Sequence, residues 1–296
     1  MRKIKPGDIV GRKSYNCDVF FKVIEFFVDD GKIFAYLKGL NLRLCANAPK
    51  EDLIRIEPST LTKHLLEQTR NNNEHMKRIF SRRVREREMI LDRVFPKVRG
   101  KAQGEKPLDG FDIPGTVLHI DGDSDYLDLC LTTYRQLSIP ANGYFIEEVK
   151  QPEMMETLLN KHSPDLLVIT GHDGFIKGKV NFSDINNYHS SNYFVEAVKV
   201  ARRYEKSRDD LVIFAGACQS HYESILAAGA NFASSPQRVM IHAYDPVFVV
   251  EKISYTSIYD RISIKDIITG TITGVDGIGG METRGKYRMG IPRSPY

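Results

Sequence analysis

Two stretches decide how this chain is read: residues 166–174, LLVITGHDG, and residues 211–221, LVIFAGACQSH. Each opens with an unbroken apolar run and leaves it at a reactive side chain, His172 in the first and Cys218 in the second. Apolar residues without alternation are expected where a strand is covered on both faces, as in the middle of a parallel sheet. Ligands bind such sheets at the carboxyl ends of the strands. If the two strands are neighbours, an imidazole and a thiol meet at that edge, which is what a cysteine nucleophile and its base require.

Outward from these strands the alternation of strand and helix continues. Strands are expected at 116–120 and 142–149. Helices are expected at 123–137, 154–161, 193–204 and 222–228, the last ending at Gly229. This rhythm implies an α/β domain over 107–296 with a doubly wound, mainly parallel sheet. The segment 239–242 reads as one more strand and 245–254 as another, followed by a helix at 264–269. The Gly-rich GVDGIGG lacks the Lys-Ser/Thr of a phosphate loop and reads as a loop or hairpin.

Towards the N-terminus the pattern changes. Residues 1–57 contain short strand-like runs at 8–10, 19–27, 32–37, 42–46 and 53–56, with Asp29-Asp30-Gly31 as a hairpin turn, and predict a small SH3-like β domain. Residues 58–106 predict a charged helix with a thin apolar stripe, started near Ser59, and then a polar linker with Gly and Pro from Pro96. The arginines of this helix read as a solvated face or, alternatively, as a nucleic-acid contact.

The chain has 296 residues, 42% of them hydrophobic, enough for a sizeable core. A formal charge of +4 is weak support for a nucleic-acid partner. No stretch approaches the roughly 20 apolar residues that span a bilayer, and the opening MRKIKPGDIV does not read as a secretory signal. Cys17, Cys45, Cys130 and Cys218 are spaced neither as a zinc site nor as a disulfide framework, so reduced thiols in a cytoplasm are expected. No metal, cofactor or membrane is called for, and the oligomeric state cannot be read.

Cys218 is the strongest candidate nucleophile. It follows a buried strand and precedes a helix whose positive end would favour the thiolate. Gly216 and Ala217 leave room for a sharp turn, and their amides could help hold an oxyanion. His172 is the matching base. His119, His242 and His221 read as satisfied or exposed histidines, with His221 the substitute if His172 fails.

The 46 positions from His172 to Cys218 are close to the roughly 50 of caspase-type peptidases. The arrangement resembles the caspase–gingipain–legumain group, with two departures. Asp173 stands where that group has Gly, with Gly174 one place later, and Gly216-Ala217-Cys218 replaces Gln-Ala-Cys. The resemblance implies oxyanion donors from the main chain at Asp173, Gly174 and Cys218. It also implies that the loop after the first strand, HIDGDSD from 119, borders the substrate pocket. Acidic residues there, Asp121, Asp123 and Asp125, would favour Arg or Lys before the scissile bond; Asp123, Ser124 and Asp125 also suit a helix cap.

Longer blocks are more specific. GDIVGRKSY, PGTVLHIDGD, PDLLVITGHD, LVIFAGACQSHYESILAAGANFASSP and GIGGMETRG resemble the YabG family, sporulation-specific cysteine proteases of spore-forming bacteria. That resemblance implies His172 and Cys218 as the catalytic pair and spore-coat and related spore proteins as substrates, cut at Arg-containing sites inside the sporulating cell. It also makes Arg82, Arg83, Arg85 and Arg87 candidates for self-cleavage. The alternatives are an amidase or glutaminase using the same pair on a small amide, and a non-enzymatic coat-assembly or nucleic-acid-binding scaffold.

Overall fold

The structure, a computed structural model, describes residues 3–94 and 110–290. The polar linker from Pro96 and the boundary at 106 lie outside the described residues, apart from Gly110. Contacts divide the chain into two units, Met1–Leu40 with Cys45–Pro107, and Asn41–Leu44 with Leu108–Tyr296.

The first unit contains strands β1 (Ile9–Arg12), β2 (Phe21–Asp29), β3 (Lys32–Gly39), β4 (Cys45–Pro49) and β5 (Leu53–Arg55). They form an antiparallel sheet in the order β4-β3-β2-β1-β5. β2 and β3 are joined through Asp30 and Gly31, both at positive φ (50° and 73°). That is the conformation a two-residue turn needs to match strand twist. Val10, Phe21, Val23, Ala35, Leu37, Ala48 and Leu53 are its buried side chains. Helix α1 (Pro58–Val94) follows. Proline suits its first position, and pairs such as Arg70–Glu74 lie along it. No described helix is long and apolar enough to cross a membrane.

The second unit has β6 (Phe111–Ile113), β7 (Val117–Asp121), α2 (Ser124–Gln136), β8 (Ala141–Phe145), α3 (Gln151–His162), β9 (Leu166–Thr170), α4 (Ser191–Tyr204), β10 (Val212–Ala215), α5 (Tyr222–Ala227), β11 (Phe232–Ser234), α6 (Asp245–Ser254), β12 (Arg261–Ile262), α7 (Ile264–Ile268), β13 (Ile278–Gly280), β14 (Thr283–Arg284) and β15 (Arg288–Gly290). The main sheet runs β13-β11-β10-β9-β7-β8 and is parallel except for β13, consistent with the caspase-like fold. Leu118, Ile120, Leu167, Ile169, Ile213 and Ala215 share one core with Met155, Leu158 and Leu159 of α3 and Phe194, Ala197, Val198 and Ala201 of α4. The alternate residues of β7, β9 and β10 are buried as well. This double burial is why β9 and β10 read as nearly unbroken apolar runs; in β7 one covered face is polar, with His119 and Asp121.

Three expectations change. The strand expected at 42–46 starts only at Cys45, because Asn41–Leu44 joins the second unit. The strand expected at 239–242 is absent, and β11, not foreseen, completes the parallel set. The segment read as a strand at 245–254 is helix α6. Nine of its ten residues are buried, so no polar face shows the helical period, and its valines imitate a strand. Pro246 in the first turn is the helix signal. GIGG contributes the antiparallel edge strand β13.

Candidate active site

The register puts three strand ends side by side. Asp121 of β7 pairs with Thr170 of β9, and Ile169 of β9 pairs with Ala215 of β10. Each strand is followed by a glycine, Gly122, Gly171 and Gly216. Gly216 has φ of 107°, and a Cβ there would stand 2.5 Å from Ser234 Oγ. Only glycine fits a position so strained and so close to its neighbour. At Gly216 the chain therefore turns off its strand at once, and His172 and Cys218 follow neighbouring strands, as the adjacency argument required.

His172 is oriented by Asp123. Its Nε2 lies 2.7 Å from Asp123 Oδ2. The other oxygen, Oδ1, accepts the amides of Asp125 and Tyr126 and caps α2. A carboxylate fixed by a helix N-terminus is a rigid partner for an imidazole. The Tyr126 ring meets His172 edge-on at 5.8 Å. The His172 amide donates to Glu148 Oε1 at 2.6 Å. Nδ1 is buried.

Cys218 is 2% exposed. Its Sγ accepts the amide of Ile241 at 3.2 Å. Helix α5 begins only at Tyr222 and spans six residues, so the thiol does not sit in the first turn of that helix; Ile241 faces it instead, through its amide and, at 4.0 Å, its carbonyl oxygen. The amides of Gly216 and Ala217 are committed to Ile169 O and Ser220 Oγ, and neither points to an oxyanion.

Asp173 ties the two loops together. Its carboxylate accepts the amides of Gly174 and Ser190 and the hydroxyls of Ser191 and Ser220, the last at 2.9 Å. It thus joins the residue after His172 to the residue two places after Cys218. Burial raises the Asp173 pKa, against these hydrogen bonds. The Asp that departs from the Gly of caspase-type sequences is therefore the brace of this edge.

Asp121 does not line a pocket. It is fully buried and pairs with Arg43 at 2.7 Å. Thr170 Oγ1 donates to Asp121 Oδ2, and the Asp123 amide donates to Oδ1. Burial alone would raise its pKa. Arg43, with hydrogen bonds from His119 and Arg43, instead holds it well below the usual carboxylate range. Of the three acids expected at the substrate, Asp121 is neutralised and Asp123 holds His172, while Asp125 is exposed. Glu148, which sequence reasoning missed, is half-buried at this edge and forms no ion pair among the described residues. Its carboxylate occupies the space where Gly122 and Gly171 would carry side chains.

The other histidines are engaged elsewhere. His119 contacts Tyr134 Oη and Thr170 Oγ1 through its two nitrogens. His221 caps α5 through Nδ1, and its Nε2 contacts Ser183 O, so it is not a second base. His242 accepts the Tyr244 amide. Cys130 is buried beside Arg43, and burial pushes its thiol up to about 12. No group of three His, Cys, Asp or Glu that could hold a metal ion occurs among the described residues.

A family model described as YabG peptidase U57 matches residues 5–292. The chain is 42% identical, over 97% of its length and 97% of the relative's, to the sporulation-specific protease YabG of Bacillus subtilis (strain 168). No solved structure gives a significant match.

Proposed function

This chain belongs to the YabG peptidase family, and from that premise we propose that it is a cysteine endopeptidase with Cys218 as nucleophile and His172 as base. The observation that carries the reading is the in-register pairing of β9 with β10, which delivers an Asp123-bound imidazole and a buried thiol to one sheet edge. Asp123 holds Nε2, so the thiol proton is assigned to the other ring nitrogen, Nδ1. Cys218 attacks the scissile carbonyl, His172 protonates the leaving amine, and water releases the acyl-enzyme.

The oxyanion falls to the main-chain amides of Cys218 and Asp173. The Gly174 amide donates to Asp173 Oδ1 and joins them only if it turns away from that oxygen. Cleavage after Arg or Lys is supported by the acids that keep access to solvent, Glu148 and Asp125. The substrates proposed are spore-coat and related proteins; the name of the relative supports a role in the sporulating cell. Self-cleavage at Arg82, Arg83, Arg85 or Arg87 requires α1 to unwind locally, since all four lie inside that helix.

The test is cleavage of Arg- and Lys-containing peptides by wild type, Cys218→Ala and His172→Ala. A peptidyl chloromethyl ketone ending in Arg should label Cys218, read by mass spectrometry. Activity retained in Cys218→Ala would overturn the reading.

A further inference from the structure

We propose that Arg43 is a positioning residue of the active site, which reaches both members of the catalytic pair from a segment that belongs by sequence to the N-terminal strands. The proposal rests on the reading of Cys218 and His172 given above. The segment Asn41–Leu44 lies between β3 and β4 in the chain, yet it packs as part of the second unit. Its backbone pairs with the loop after β11. The Arg43 amide donates to Ile241 O at 3.2 Å, and the Ala243 amide donates to Asn41 O at 3.0 Å. Leu42 and His242 form an antiparallel bridge between these bonds. Ile241 is the residue whose own amide donates to Cys218 Sγ. One backbone rung therefore separates Arg43 from the nucleophile.

The guanidinium reaches the base by a second route. Arg43 and Asp121 have side chains at 0% exposure and are 2.7 Å apart. Asp121 Oδ1 accepts the Asp123 amide at 3.0 Å, and Asp123 Oδ2 holds His172. The Arg43 guanidinium also lies over the Tyr126 ring, 5.2 Å from its centroid. Tyr126 Oη donates to Leu42 O at 2.6 Å, while its ring contacts His172. A buried carboxylate without a counter-charge is strongly disfavoured, and only a planar guanidinium can serve an acid, a thiol and a ring at once. The Arg43 side chain thus anchors the segment that pins the Ile241 loop, and the amide of that loop favours the thiolate.

The experiment compares full-length wild type, Arg43→Met, Arg43→Lys and the double variant Arg43→Met/Asp121→Asn. Two quantities are read: kcat and KM on an Arg-containing peptide, and the pH profile of Cys218 alkylation by iodoacetamide. Arg43→Met should lower kcat by about tenfold or more with KM little changed, and should move the alkylation midpoint to higher pH. Arg43→Lys should recover part of both. If Arg43→Met does not fold, the double variant, which buries no lone charge, is held to the same criteria. A folded variant with a lower melting temperature but the wild-type alkylation profile and kcat would overturn the proposal. So would a kcat that falls only in proportion to the folded fraction. Cys218→Ala serves as the control: if it stays active, the reading of the dyad fails, whereas an inactive Cys218→Ala beside unaltered Arg43 variants sinks this proposal alone.

Discussion

Asp123 holds His172 with one carboxylate oxygen and the first turn of α2 with the other. Oδ2 is 2.7 Å from His172 Nε2, and Oδ1 accepts the Asp125 and Tyr126 amides. The two tasks can be separated, because asparagine caps a helix nearly as well as aspartate but cannot stabilise an imidazolium. Asp123→Asn should keep its melting temperature within a few degrees and lose about 100-fold in kcat. Asp123→Ala should lose the rate and also about 1 kcal/mol of stability. Thermal melts beside peptide kinetics would check this; equal losses of stability in both variants would count against it.

Asp173 is half-buried and accepts two amides and two hydroxyls. Asp173→Ala would strand all four donors and should cost about 3 kcal/mol or more, at 1–3 kcal/mol for each buried unsatisfied group. Ser220→Ala removes only the tie between the loops. It should cost about 1 kcal/mol while lowering kcat disproportionately. Denaturant titration with parallel kinetics separates the two effects.

The pH dependence of stability follows from buried groups. Burial lowers the His119 pKa below its ordinary value of 6.5. The unfolded chain therefore takes up this proton at a pH where the folded protein does not. The stability held by neutral His119 is complete above about pH 6.5 and is lost as pH falls below it. The depressed pKa of Asp121 adds stability that is present above about pH 3.9 and is lost as pH falls further. Asp173 and Asp245, whose pKa values burial raises, act in the opposite sense and gain stability as pH falls through those raised values. Melting temperature measured from pH 7 to pH 5 should fall in wild type, and less steeply in His119→Asn. An identical slope in both would remove His119 from the explanation.

Glu148 should set the preference for a basic residue. Glu148→Gln retains an oxygen for the His172 amide and removes the charge. It should raise KM for Arg peptides by about tenfold, the scale of an ion pair worth 1–2 kcal/mol, and leave a neutral peptide unaffected. Paired kinetics on the two peptides checks this, and a matched loss on both would reassign Glu148 to loop support.

Gly216→Ala should abolish activity and destabilise the fold. A Cβ there meets Ser234 Oγ at 2.5 Å, on a backbone with φ of 107°. The cost is about 2 kcal/mol or more from the left-handed backbone and overpacking together. Gly216→Ala/Ser234→Ala would relieve the clash but not the backbone strain, and should recover part of the stability in a thermal melt.

Much of the main sheet was legible. Its central strands announced themselves as apolar runs because both faces are covered, and the helices of α3 and α4 showed the period of a half-exposed surface. α6 was not legible, since burial on all sides removes the polar face that separates helix from strand. Asp123 was legible as a cap but not as the partner of His172, because nothing local tells which strand end lies 2.7 Å away.

By itself the sequence determined the α/β character, the apolar strands that lead into His172 and Cys218, and the sharp turn at Gly216. These depend on local quantities: unbroken apolarity, spacing, and the conformations a residue type allows. Only the tertiary structure decided that the strands of His172 and Cys218 are neighbours, that Asp173 braces their loops, and that Asp121 answers to Arg43 rather than to a substrate. The physical reason is that a charge takes its role from what surrounds it. The partner of Asp121 comes from 78 positions earlier in the chain, brought there by packing that no window of sequence records.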